Sequence, residues 1–245
     1  MPETAPASGP PPSRARECWD GVRDTLPMMF GAAPFGLIFG TLAAPSGLSQ
    51  AGALSMSLAV FAGSSQFIAL SLLAGKASLA VIVLTTLVVN LRHALYSANL
   101  LPHVAKLNQG WRAMLAFWLT DETFAVVQLR YGAADASPHQ HWFQLGSSVS
   151  MYLNWCLWTL AGILLGRSMP QLQHLGLEFA MAATFTGIVV PLLRGRPMIA
   201  AALVAAAVAL LCRNLPYKLG LMLAALAGVV AGMALEGRPA PKEAP

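Results

Sequence analysis

Residues 77–101 read ASLAVIVLTTLVVNLRHALYSANLL. The run exceeds the ~20 apolar residues an α-helix needs to cross about 30 Å of hydrocarbon. Lipid offers no partner for a backbone amide, so a chain with runs of this length is helical and not a barrel of alternating strands. The second half of the stretch is polar nearly all round. Thr86, Asn90, His93 and Ser97 share one helical face, while Arg92, Tyr96 and Asn99 share another. Lipid would tolerate neither stripe, so this helix end sits inside a bundle or opens into water.

Outward from this stretch, further apolar runs lie at residues 25–44, 51–74, 111–130, 142–166, 177–193, 197–212 and 216–235. Each is read as a helix, giving an all-α polytopic membrane bundle of about eight spans. The last two runs are joined only by Arg213, Asn214 and Leu215, so a re-entrant hairpin is the alternative there. Composition agrees: 56% of the 245 residues are hydrophobic and 10% are charged, where soluble domains carry about 25%. The formal charge of +5 is scattered through short loops and forms no block that tracks phosphates, so no nucleic-acid partner is expected. Cys18, Cys156 and Cys212 lack metal or redox spacing and read as small hydrophobes. Residues 1–24 open with a Pro-rich tract and read as a flexible tail and lead-in that the chain retains, 25–235 as the transmembrane domain, and 236–245 as a short tail.

With eight crossings, the N-terminal side holds Arg14, Arg16, Arg23, Lys76, Arg130, Arg194, Arg196, Arg238 and Lys242. The other side holds Lys106, Arg112, Arg167, Arg213 and Lys218, so both ends are expected in the cytoplasm. A faint internal match pairs Phe61-Ala62 and Phe67 with Phe179-Ala180 and Phe185, and Asn90-Leu91 with Asn214-Leu215. A shift of four spans would make the halves parallel repeats.

Few ionisable groups lie at bilayer depth: Arg92 and His93 in the third run, Asp121 and Glu122 in the fourth, and Glu178 opening the sixth. Each asks for a partner, a wet cavity or a task. Asp121 and Glu122 point about 100° apart. Asp121 has the more polar stripe and is expected to face an internal pathway, or else to pair structurally with Arg92. Glu122 is expected to meet another helix, within the chain or from a partner. Arg92 either holds a carboxylate or snorkels, and His93 either shapes a path or makes an ordinary hydrogen bond. No second ligand lies at metal spacing on the His93 helix, and no metal site or cofactor is expected.

Backbone irregularity is the second signal. Pro34 removes a donor and frees a carbonyl near Phe30, among Gly31, Gly36 and Gly40. Gly63-Ser64-Ser65-Gln66 interrupts the second run, with Ser57, Ser64 and Ser71 on one stripe. Both helices are expected to break midway, freeing amides for a carboxylate and carbonyls for an ammonium. Thr184-Phe185-Thr186-Gly187 and Pro191 are the counterpart in the second half. Close helix packing through Ala32, Gly36 and Gly40 is the alternative.

Pro34-Phe35-Gly36, Ala62-Gly63-Ser64-Ser65-Gln66-Phe67, Asn90-Leu91-Arg92-His93 with Tyr96-Ser97, and Leu119-Thr120-Asp121-Glu122 with Phe124-Ala125 together resemble the AzlC family, over roughly residues 18–236. These are large subunits of bacterial branched-chain amino acid exporters. The resemblance implies efflux of valine, leucine and isoleucine across the bacterial inner membrane, and a separately encoded, small hydrophobic subunit of the AzlD type. The substrate site is expected at Pro34, Gly36, Gly63, Ser64, Ser65, Gln66, Asn90, His93 and Asp121. Gly63 to Gln66 would take the carboxylate, Asp121 or a carbonyl near Phe30 the ammonium, and Phe35 and Phe67 the branched side chain. Arg92 and Glu122 are expected as ion-pair or partner contacts. No phosphate-binding GxxxxGK[ST] loop is present, so energy comes from a gradient or another chain. Export of another zwitterion, a non-transporting scaffold and a membrane-embedded enzyme are the rival readings.

Overall fold

The computed structural model describes residues 12–133, 137–168, 186, 190, 193, 195–215 and 219–236. These residues are almost entirely helical, as expected for a polytopic membrane bundle, and form two compact units, Met1–Lys76 with Asn90–Leu177, and Ala77–Val89 with Glu178–Pro245. The helices are α1 (Arg14–Ala43), α2 (Gln50–Ala59), α3 (Gly63–Ala74), α4 (Leu79–Val104), α5 (Gln109–Phe117), α6 (Asp121–Tyr131), α7 (Gln140–Ser168), α8 (Arg196–Leu211) and α9 (Leu219–Leu235). Only α1, α4 and α7 are individually long and apolar enough to cross a membrane among the described residues.

The frame of the first unit is the parallel pair α1 and α7. Thr25 Oγ1 donates to Ser147 Oγ (2.7 Å) near one end, and Thr41 Oγ1 lies 3.2 Å from the Gly162 carbonyl near the other. Asn154 Nδ2 donates to the Met29 carbonyl (3.0 Å) between them. Glycines permit the close approach: a Cβ on Gly40 would collide with the Thr159 carbonyl, and one on Gly162 with the Leu37 carbonyl. The helix α1 runs unbroken through Pro27 and Pro34 and begins at Ser13, whose hydroxyl caps Arg16 N. The expected break at Pro34 is therefore absent, and residues 14–24 of the expected lead-in are helix. They are held because Glu17, 1% exposed, is gripped by Arg130 through Nη2 (2.5 Å) and Nε (3.2 Å).

The second and fourth apolar runs are not straight spans. Each is two short helices folded back on themselves. Gln66 Nε2 donates to Ser57 Oγ at 3.0 Å. Nine residues of straight helix would separate those positions by about 13.5 Å, beyond the reach of the two side chains. Around this fold, Ser57 meets Thr159, Phe61 meets Tyr152 (4.9 Å between rings), and Phe67 has returned to Phe39 (6.0 Å) and Phe35 (6.5 Å). The chain enters beside the end of α7, reaches its middle and goes back. Phe61 marks the reversal with a φ of 45°, a left-handed conformation unusual for a bulky residue.

The helices α5 and α6 do the same from the other end. Trp111 packs on His141 and Trp142 (5.1 Å each) at the start of α7, and Trp118 reaches Tyr152 (5.8 Å). Tyr131 then lies back at Gln144, donating to its Oε1 at 2.9 Å. Leu100, Leu119, Val127, Tyr131 and Phe143 form the apolar core around this second hairpin. Each leg, at 9 to 12 residues, is about 14–18 Å long, half a bilayer. In the second unit, α8 and α9 form an antiparallel hairpin in which Gly220 abuts Cys212 and Gly232 abuts Ala201 and Pro197. Asn214-Leu215 lies at its turn, whereas Asn90-Leu91 is inside α4, so that pair does not occupy equivalent places. The sixth run, with Glu178, the 179–185 match and most of the 184–191 motif, falls outside the described residues apart from Thr186, Val190 and Leu193.

Candidate functional site

The two hairpin tips meet at Tyr152, near the middle of α7. Its ring contacts Phe61, Phe117 and Trp118, and its hydroxyl donates to the Leu58 carbonyl (3.0 Å). Beside this junction is a cavity of about 180 Å³ lined by Val60, Phe61 and Ala62 of the first tip, Ala116, Phe117 and Leu119 of the second, and Asn90 and His93 of α4. That volume is roughly ten times what one water requires.

Each tip joins the C-terminus of one half-helix to the N-terminus of the next, bringing free carbonyls and free amides within a few residues. The two differ in how those groups are used. At the second tip, Thr120 and Thr123 form a reciprocal capping box, with Thr120 N donating to Thr123 Oγ1 (2.8 Å). Asp121 occupies the first turn, where a carboxylate is favoured. It accepts from Tyr96 Oη (2.7 Å) and pairs with Arg92 Nη1 (2.7 Å). At the first tip the N-cap is Ala62, which has no side chain to offer, so the amides of Gly63, Ser64 and Ser65 are left for another acceptor. Behind them lies a buried network: Ser57 Oγ accepts from Gln66 Nε2 and Trp155 Nε1 (3.2 Å), which leaves its proton for Thr159 Oγ1 (2.9 Å).

Several buried polar atoms near the tips have no protein partner among the described residues: Ser64 Oγ, Gln66 Oε1, Asn90 Oδ1 and Trp118 Nε1. An unmet buried polar atom costs about 1–3 kcal/mol, so such a cluster asks for a polar ligand or water.

Of the expected residues, Asn90 and His93 line the cavity, while Ser64 and Gln66 stand in the first turn of α3, next to the lining residue Ala62 but outside the lining itself. Gly63 packs on Trp155, and Ser65 Oγ donates to the Ala62 carbonyl (2.9 Å). His93 Nδ1 lies 3.1 Å from the Asn90 carbonyl. Pro34 and Gly36 do not join them: Pro34 is on the exposed side of an intact α1, and Gly36 packs against Trp155 and Trp158. Phe35 and Phe67 contact each other in a cluster with Phe39, away from the cavity lining. Asp121 is committed to Arg92 and Tyr96 and does not line the cavity. Glu122 forms no ion pair among the described residues, and Arg92 chooses Asp121. No cluster of three metal-ligating side chains occurs among the described residues.

Sequence reasoning missed Tyr152, Trp118, Phe61 and Ala62. A signal existed for the second break, because Thr120 followed by Asp121, Glu122 and Thr123 is a helix-start signature inside an apolar run.

The AzlC protein family matches residues 27–169, which hold both hairpins. An uncharacterized membrane protein of Helicobacter pylori is 35% identical over 68% of this chain and 71% of its own. The inner membrane protein YgaZ of Escherichia coli is 28% identical over 93% of this chain and 92% of its own. The branched-chain amino acid transport protein AzlC of Bacillus subtilis is 27% identical over 74% and 72%. No solved structure matches the chain. With more than half of its length matched, this membrane protein belongs to the AzlC family.

Proposed function

We propose that the protein is the large subunit of a secondary exporter of branched-chain amino acids in the bacterial inner membrane, working with a small hydrophobic AzlD-type subunit. The observation that carries the reading is the cavity between two opposed half-helix tips. A zwitterion needs a donor cluster and an acceptor cluster a few ångströms apart, and the first tip, whose helix start carries no side-chain cap, offers both from backbone alone. The uncapped start of α3 receives the carboxylate, with Ser64 adding its unmet hydroxyl. The ammonium is taken by carbonyls at the end of α2 and by Asn90 Oδ1. The apolar rims of Phe61, Phe117 and Leu119 hold the branched side chain. Asp121 acts one step away, by fixing Arg92 and Tyr96 against the second tip.

The hairpins also revise the charge count. The face where α1 begins carries Arg14, Arg16, Arg23, Lys106, Arg112 and Arg130, and the other face of this unit carries Lys76 and Arg167. By the excess of positive charge on cytoplasmic faces, this asymmetry supports a cytoplasmic start of α1. The test is loss of labelled leucine from loaded proteoliposomes containing the chain with and without its small subunit. Leucine-specific release supports the reading, and a rate equal to that of empty liposomes in both preparations refutes it.

A further inference from the structure

A second cavity of about 230 Å³ lies between the end of α4, α5 and α7. Its walls are chiefly apolar, with Leu100, Leu101, Val104 and Leu115 among them. It shares Ala116 and Leu119 with the cavity at the tips. The polar stripe of α4 runs through both: Asn90 and His93 line the first cavity, and Ser97, one turn on, lines the second. The two spaces are thus consecutive stations along one side of α5.

Arg112 lines the outer station, half-buried and without an ion-pair partner among the described residues. It stands in the first turns of α5, an end of the helix that already favours anions, so neither the helix nor a carboxylate neighbour compensates its charge. Gln144, 2% exposed, also lines the space and spends its Oε1 on Tyr131, which leaves its amide N–H groups as donors. A half-buried guanidinium and a buried amide in the wall of an aliphatic pocket form a receptor for a carboxylate joined to a short apolar side chain.

We infer that this cavity is a loading subsite for branched aliphatic amino acids on the face where α1 begins, with Arg112 taking the carboxylate before the substrate passes Ala116 and Leu119 to the tips. The inference rests on the export reading and adds a station to it. Inverted membrane vesicles holding the full chain and its small subunit present this face outward, and uptake of labelled leucine then reports on it. Arg112→Ala is expected to raise KM by about tenfold with kcat little changed, the loss of one charged contact to a carboxylate. Arg112→Lys should fall between, and Leu101→Trp, which fills the apolar part, should weaken leucine more than alanine. Unlabelled leucinamide, which lacks the carboxylate, is expected to compete poorly with wild type, and Arg112→Ala to narrow that discrimination without abolishing it, because the start of α3 still reads the carboxylate. If wild-type vesicles take up leucine but all three variants keep the wild-type KM and the discrimination is unchanged, Arg112 serves the membrane surface and the subsite is refuted. If wild-type vesicles take up none, the export reading falls first and the subsite with it.

Discussion

The two hairpins solve one geometric problem in opposite chemical ways. Both turn back near Tyr152, and both expose a half-helix start there. The second closes its own start with Thr120, Thr123 and an acidic first turn, and ties that turn to α4 through Arg92 and Tyr96. The first leaves its start bare at Ala62 and stacks unmet polar atoms behind it. A tip satisfied from within is a fixture, and on the function proposed above the unsatisfied tip is the receptor. The lesson is that a broken helix is not by itself a binding site. What distinguishes the two is whether the protein supplies its own cap.

The comparison is most severely broken by Asp121→Asn. Removing that charge leaves Arg92 partly buried without a counter-ion, at a cost of up to about 3–5 kcal/mol for a well-buried pair and less here, where both side chains keep some exposure. Leucine efflux is expected to vanish and the apparent Tm to fall. Efflux at the wild-type rate in a correctly assembled variant would remove the second tip from the mechanism. Next is Ala62→Ser, which gives the first tip the cap it lacks. It should stabilise α3 by about 0.5–1 kcal/mol yet slow efflux about tenfold, because the hydroxyl now competes for the amides. A rise in Tm with unchanged efflux would show that the bare amides are not used. Thr120→Ala uncaps the other tip and is expected to cost about 1 kcal/mol in thermal unfolding, with a milder loss of transport. The smallest effect is expected from Tyr152→Phe, which keeps the ring between the tips and deletes the bond to Leu58, worth about 0.5–1.5 kcal/mol by the same measurement.

Much of this was legible before any coordinates. Hydropathy alone gave the helical membrane class, and the polar half of the third run located Asn90, His93 and Arg92 at a cavity or a pair. The interruption expected at Gly63 to Gln66 exists but falls just before them, at Phe61-Ala62, and those four residues open α3. What the sequence could not convey is direction after a break: hydropathy measures length, and a folded-back pair of half-helices has the same apolar length as one crossing. Pro34 misled for a different reason. Proline ends a helix when nothing else holds it, but α1 is clamped along its length by α7, so the lost hydrogen bond is outweighed by packing. Asp121 reads as facing a pathway, with a structural pair to Arg92 as the alternative; the pair is what forms, because the fold of α5 and α6 brings Asp121 to Arg92 and Tyr96, 29 and 25 residues earlier.

The glycine contacts between α1 and α7 bear on how such a machine can move. Backbone seated on backbone at Gly40 and Gly162, and again where Gly21 meets the Phe143 carbonyl and Gly146 the Cys18 carbonyl, leaves no slack for one helix to slide or roll on the other. The two form a chassis. On the export reading, the movement that exposes cargo to one side of the membrane and then the other falls to the short half-helices and not to this pair.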